Sequence, residues 1–424
     1  MKTVTRLVGL AAAAAAGVAS AAEGPVPRGI PHLDHVFVIM MENHGYAQVI
    51  GNPNMPFVNA YARRKNLATN YFAVAHPSLT NYLEVVGGSN FGVLDDNSPD
   101  WHAACASNLT SGVVSNESVG SPICPISGTG TEAATPAIDY TNETSGTPGV
   151  PSTGDWNIDG VKSIAASTDI VGKTIADQLV AAGHNWKSYQ EDLPDSGADG
   201  VNVADGLWSN LSNLQPVTIP SVTPAPSIVG LYAAKHDPFV YFRSVQEGSV
   251  DGDHDGDDAG ISLKHVVPFD GPHGLYADLA TGHLPTYSFI APNQCHDQHG
   301  RGNAGPFCAY DPNDVGTLAG LNPALMAQGD TALQNLVAAI HASRVWRDGR
   351  TAIVVVWDEN DYSVGIVNKV TAIVDTNYGS AGRKSGNFYT HFSLLKSIEA
   401  GLDLPCLNHA CDADVAVMSD LFAD

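Results

Sequence analysis

Positive charge is what this chain most lacks. Its 424 residues hold 20 Lys and Arg against 44 Asp and Glu, a formal net charge of −24 at pH 7. So acidic a surface repels nucleic acid and anionic membranes, and neither is expected as a partner. Long apolar runs are also missing. The stretch Leu7–Ala16 is short, and nothing later reaches the ~18 uninterrupted apolar residues of a membrane span, so stable insertion is not expected. None of the six cysteines stands in a C-x-x-C pair, which argues against a zinc-thiolate or dithiol redox site. No internal repeat is visible.

What is present begins with a targeting pattern. Lys2 and Arg6 precede the short apolar run, and Ala19-Ser20-Ala21 supplies small residues for cleavage. Residues 1–22 therefore read as a signal peptide, and 23–424 as one domain in a secreted or periplasmic protein. The even cysteine count suits that compartment. Proximity favours Cys105–Cys124, Cys295–Cys308 and Cys406–Cys411, among fifteen possible pairings.

Two continuous apolar runs, His35–Met41 and Ala352–Trp357, read as buried strands, each ending abruptly in polar residues. Pro285–Ala291 reads as a third, followed by the polar stretch 293–300. Helical periodicity recurs at Met55–Lys65, Thr80–Val86, Gly172–Ala182, Ala332–Ser343 and Phe392–Gly401. The alternation predicts an α/β fold with a mainly parallel sheet between two helix layers, with ligands at the carboxyl ends of the strands. Residues 107–160, rich in Ser, Thr, Gly and Pro, read as a loop insertion with three N-x-S/T acceptors. Asp251–Asp258 starts like a calcium loop but has Ser262 where its last acid should be, so it reads as a solvated acidic insertion.

Chemistry concentrates at few places. Ser78, in His76-Pro77-Ser78-Leu79-Thr80-Asn81, precedes a helix whose free N–H groups attract phosphate and lower the cost of an alkoxide. Its bland role is a helix cap. No G-x-S-x-G elbow surrounds it, which counts against an acyl hydrolase. Asn81 stands three residues on. Glu42-Asn43 and Asp358-Glu359 each follow a buried strand. Neighbouring parallel strands would unite them as an oxygen-rich site for one divalent cation of unstated identity, able to favour the ionised form of Ser78. Among sixteen histidines, His236, His296, His299 and His391 could donate to phosphoryl oxygens or protonate a leaving alkoxide.

Taken in order, Val38–Tyr46, His76–Leu83, Lys235–Tyr241, Pro292–Gly300, Val355–Asp361 and His391–Glu399 resemble the phosphoesterase family of exported acid phosphatases and phosphatidylcholine-type phospholipases C; Trp186–Asp192 looks like a further stretch of it. The resemblance implies a three-layer α/β/α sandwich of the alkaline phosphatase superfamily and a covalent phosphoryl-enzyme on Ser78. It implies metal contact by Glu42, Asn43, Ser78, Asp358 and Glu359, and phosphate contact by Asn81, His236 and His299, with His296 and Asp297 nearby. Two positions depart from the family pattern: Thr80 replaces the usual proline, and Gln298-His299-Gly300 stands where Gly-His-Asp is usual.

The length and the His-Pro-Ser setting look more like the acid phosphatase branch, including enzymes acting on phosphoinositides. The expected activity is a metal-dependent phosphomonoesterase acting on a small-molecule or lipid phosphate ester. The alternatives are a phospholipase C-type phosphodiesterase, and a non-catalytic exported protein that binds phosphate or metal. The sequence leaves the oligomeric state open.

Overall fold

A computed structural model describes residues 23–76, 78–91, 172–193, 216–217, 227–228, 231–246, 248, 260–300, 308, 322–360 and 368–423. Residues 1–22, expected as a signal peptide, the expected insertion at 107–160, the expected Cys105–Cys124 pair and the acidic run 251–258 lie outside the described residues.

The apolar runs become the centre of a nine-stranded mixed sheet. Its strands are β1 (His35–Met41), β2 (Asn66–Phe72), β3 (Trp186–Gln190), β4 (Val266–Pro268), β5 (Tyr287–Ala291), β6 (Thr351–Trp357), β7 (Lys369–Thr376), β8 (Lys384–Ser385) and β9 (Tyr389–Thr390). Their spatial order is β8-β2-β7-β6-β1-β5-β3-β4, with β9 also on β2. The β6-β1-β5-β3-β4 half is parallel throughout, whereas β7 runs antiparallel to both β6 and β2. β1 and β6 are buried on both faces, as their unbroken apolar sequences require.

Numbering the helices of seven or more residues gives α1 (Pro56–Arg64), α2 (Ser78–Gly87), α3 (Ile175–Ala181), α4 (Leu275–Thr281), α5 (Pro323–Ala342) and α6 (His391–Gly401). They form two packed groups, α2 with α3 and α6, and α5 with α1 and α4. With both faces of the central strands covered, this is the expected layered α/β arrangement. No helix among the described residues is long and apolar enough to cross a membrane.

Several boundaries moved, three of them at helix starts that bear on the site. α2 starts at Ser78 itself, so the serine sits in the helix's first turn. α6 starts at His391. α5 starts nine residues before the periodic run at Ala332: Asn322 caps it by accepting from Leu325 N at 3.3 Å, and Pro323 occupies the first position, where a missing N–H costs nothing. Gly329 and Asp330 had masked that first half. A β-carbon on Gly329 would collide with Gln298 Cγ and meet His296 O at 2.9 Å, so glycine is what lets the 293–299 loop lie directly on α5. Two expected disulfides are present, Cys295–Cys308 and Cys406–Cys411.

Candidate active site

Strand register builds the centre. Met41 pairs with Trp357 in the parallel β1–β6 ladder, so the next residues, Glu42 and Asp358, emerge side by side. Asp358 N donates to Met41 O at 2.9 Å, and Glu42 N to Asp297 O at 2.8 Å, drawing in the loop after β5. Asn43 adopts φ +53°, a left-handed turn that asparagine tolerates, and its N–H donates to Asp358 Oδ1 at 2.8 Å. That backbone contact holds Asp358 in place.

Ser78 arrives from α2 and is buried. Its Oγ lies 3.1 Å from Glu42 Oε2 and 3.0 Å from Glu359 Oε1, so two carboxylates compete for a single hydroxyl proton. Asn81 and Tyr82 follow at i+3 and i+4 on the same helical face. Asn81 Oδ1 accepts from Val74 N at 3.2 Å and Ala75 N at 3.1 Å; its Nδ2 donates to Ala75 O at 2.8 Å and Glu359 Oε2 at 3.3 Å. The amide therefore shapes the turn before Ser78 and orients Glu359, an occupation different from the phosphate contact the resemblance implies. The Tyr82 ring stacks on His236, with centroids 5.3 Å apart and planes 10° from parallel.

His236 bridges two acids. Its Nε2 lies 3.1 Å from Glu42 Oε1 and its Nδ1 3.2 Å from Asp297 Oδ2. Glu42, His236 and Asp297 are all buried, and their ligand atoms lie within 4.8 Å of one another, a grouping able to hold a metal ion. Glu42 Oε1, His236 Nε2, Asp297 Oδ2 and Asp358 Oδ2 make no aligned hydrogen bond. Buried acceptors without donors are costly, and a divalent cation among them would satisfy them. Electrostatics agree. Burial raises the Glu42 carboxyl well above its usual range, and the charges of Asp358 and Asp297 add to this. Asp297 is likewise raised by burial. Burial and the Glu359 charge push Asp358 up to about 8. Burial, then Lys235 and His299, lower His236 well below the ordinary imidazole value, leaving it neutral and able to ligate.

The other predicted residues divide. His299 joins the centre: its ring centroid is 5.8 Å from that of His236, and its Nε2 is 3.3 Å from Lys235 Nζ. His296 does not meet Ser78. Its Nδ1 lies 2.8 Å from both Glu191 carboxylate oxygens, in a cleft on the α5 side. His391 is buried behind the site, with Nε2 2.6 Å from Asp358 O and Nδ1 3.0 Å from Tyr71 OH; burial lowers it to about 4. Sequence reasoning gave no role to His76, whose Nδ1 is 2.6 Å from Glu359 Oε2, nor to Lys235 and Tyr82. The available signal was adjacency: His76 stands two residues before Ser78, and Lys235 directly before His236.

Taken together, this is an α/β protein with a buried serine set among carboxylates and imidazoles at the carboxyl edge of a parallel sheet. The family model described as the phosphoesterase family matches residues 52–306, and the chain belongs to that family. It is 24% identical to a probable acid phosphatase of Kluyveromyces lactis over 89% of this chain and 61% of the relative. It is 23% identical to an acid phosphatase of Aspergillus fumigatus over 89% and 57%. It is also 22% identical to a phosphatidylinositol-3-phosphatase of Mycobacterium tuberculosis over 93% and 85%. The chain thus spans about three-fifths of the two fungal relatives. A solved structure from Vibrio parahaemolyticus, described as a protein in the alkaline phosphatase superfamily, matches 89% of this chain and 68% of its own at 13% identity and a TM-score of 0.41.

Proposed function

We propose that the chain is an exported, metal-dependent phosphomonoesterase, residues 23–424 acting as one domain, with Ser78 as nucleophile. The observation that carries this reading is the Ser78 hydroxyl, buried at the start of α2 and held between Glu42 and Glu359 beside acceptors that lack donors. Glu42 occupies the junction. One of its oxygens takes the Ser78 contact while the other faces His236.

Glu42, Asp358 and Ser78 would hold the cation, joined by Glu359 and by His236, with Asp297 fixing the imidazole as carboxylates commonly do behind a metal-bound histidine. When bound, the ion supplies Lewis acidity toward a phosphoryl oxygen and favours the serine alkoxide. Ser78 Oγ attacks phosphorus in line, its proton passing to a flanking carboxylate, and the P–O bond to the alcohol breaks. His76 and Asn81 hold Glu359 in position throughout. Lys235 and His299 present positive and donor groups to the remaining phosphoryl oxygens. The proton taken from Ser78 passes to the departing alkoxide, and water then cleaves the phosphoserine P–O bond, releasing phosphate and restoring the serine hydroxyl. The relatives named as acid phosphatases and as a phosphoinositide phosphatase support a phosphoric monoester as substrate. The experiment is a p-nitrophenyl phosphate assay after chelation, with Mg, Ca, Mn and Zn restored separately. Activity should return with one of them in the wild type and not in Ser78→Ala, which should lose roughly a thousandfold or more in kcat. A folded Ser78→Ala protein at wild-type rate would refute the reading.

A further inference from the structure

The chain has only 20 Lys and Arg, yet seven of them stand exposed at one edge of the sheet. Arg63 and Arg64 end α1, and Arg383 and Lys384 lead into β8. Arg344, Arg347 and Arg350 lie between α5 and β6. Strands β2, β8 and β6 run in one direction, so all three groups fall at the amino ends of these strands. Glu42 and Asp358 leave the opposite, carboxyl ends of β1 and β6.

Contacts join the groups into one row. Lys384 Nζ lies 2.9 Å from Lys65 O and 3.4 Å from Arg63 O. Lys65 pairs with the buried Asp375 at 2.7 Å, and Asp375 also meets His341 Nε2 at 2.9 Å. The His341 ring packs on Trp346 with centroids 4.4 Å apart. Asn377 Nδ2 donates to Trp346 O at 3.0 Å and Gly349 O at 2.9 Å, and the Arg350 guanidinium lies 5.4 Å from the Tyr378 ring centroid. From β8 across β2 and β7 to β6 the row is about 14 Å long, at roughly 4.8 Å per strand.

Three acids among the described residues offset the row in part. Asp34 accepts from Arg350 N at 2.7 Å, Asp348 pairs with Arg344 at 2.7 Å, and the half-buried Asp420 accepts from Asn387 and Tyr389. Positive charge stays in excess. Arg63, Arg64 and Arg383 make no side-chain hydrogen bond or ion pair with a described residue. The carbonyl end of α1 accounts for Arg63 and Arg64 but not for Arg383. The serine centre's carboxylates do not cancel the row. Seven residues of β6 put about 23 Å between the two edges, more than twice the screening length of roughly 8 Å at physiological salt. The net charge of −24 therefore misdescribes what this edge presents.

Guanidinium groups take phosphate oxygens through paired N–H bonds. A row suits a linear polymer whose charge repeats along its length. Nucleic acid bases would need open aromatic faces to stack on, but Trp346 and Tyr378 are half-buried, one against His341 and the other beneath Arg350. A lipid surface is held best by an apolar face, and the large apolar side chain exposed among the described residues, Tyr276, belongs to α4 instead. We propose that this edge docks a linear, base-free phosphate polymer, leaving the serine edge open to solution. The proposal stands apart from the chemistry at Ser78.

The test follows the anisotropy of fluorescently labelled inorganic polyphosphate with the full chain. Affinity should fall roughly 50-fold from 50 to 200 mM salt, four phosphate contacts each adding about −0.7 to the log–log slope. The triple variant Arg63→Gln, Arg64→Gln, Arg383→Gln should bind tenfold or more weakly, with a slope flatter by about 2 and an unchanged Tm. Arg347→Gln with Arg350→Gln should also weaken binding. Lys173→Gln, at an exposed cation paired with Glu23 elsewhere, should not. Ser78→Ala should bind as the wild type does. No binding at the lowest salt, full affinity in the triple variant, or binding lost in Ser78→Ala would each overturn the assignment. Tighter binding to oligodeoxythymidylate or to phosphatidylglycerol vesicles would overturn it as well.

Discussion

At the scale of single residues, the centre turns on His236. Its neutral imidazole stands with Asp297 Oδ2 3.2 Å from Nδ1, Glu42 Oε1 3.1 Å from Nε2 and the Tyr82 ring stacked on its face. Loss of a group that orients a metal ligand typically costs 10- to 100-fold in affinity. Asp297→Asn should therefore weaken metal binding by about that factor, read by titration calorimetry, with the melting profile of the metal-free protein little changed. An unaltered metal affinity would place Asp297 outside the metal's surroundings. Asn81 makes a contrasting case. Asn81→Ala strips two acceptor contacts from the Val74–Ala75 turn and one donor from Glu359, so kcat should fall together with stability. A lost phosphate contact would raise KM alone, and kinetics across substrate concentration tell the two apart.

Among the elements, α1 depends on a residue from another helix. Met55 at its N-cap has no side-chain oxygen to offer, so Asp330 of α5 accepts from Phe57 N at 2.9 Å and Val58 N at 2.8 Å. Asp330→Ala should lower stability by about 1–2 kcal/mol, the usual cost of a lost cap, seen as a drop in Tm with kcat unchanged. That long-range cap also shows what a sequence conceals. β1 could be placed to the residue because the apolar run that follows His35 ends in a sharp change of polarity at Glu42. From two such strands the meeting of Glu42 with Asp358 followed, as did Ser78 at the head of α2. The start of α5 did not, because Gly329 and Asp330 serve the neighbouring loop and helix and carry no periodic signal. The separation of His296 from His299 was equally hidden. It arises from a turn in which Gln298 takes φ +83° and anchors to Met326 O at 3.1 Å and Trp357 Nε1 at 3.1 Å.

For the molecule as a whole, stability is linked to charge. Glu399 of α6 is buried, with one carboxylate oxygen accepting from Leu407 N at 2.9 Å and the other making no hydrogen bond; burial raises it well above its ordinary value of 4.5. The folded chain therefore binds this proton more tightly than the unfolded chain. The group's contribution is full below about pH 4.5 and is lost as pH rises through the folded value. Glu399→Gln should gain in Tm over wild type as pH goes from 5 to 8; a gap independent of pH would show that the carboxyl is not protonated in the fold. On the proposed reading a metal ion is a second linkage. An ion binding only the folded state at 100 times its Kd adds about 2.7 kcal/mol, so chelation should lower Tm at neutral pH. The Met41–Trp357 rung has a wider consequence. Glu42 and Asp358 are united across the sheet and not along the chain, so the length of chain between them is invisible to the chemistry. Loops joining the strands can lengthen or shrink over evolutionary time with the centre intact. Deletion of one residue inside β6 would turn the residues that follow it, Asp358 included, to the opposite face and dismantle the centre at once.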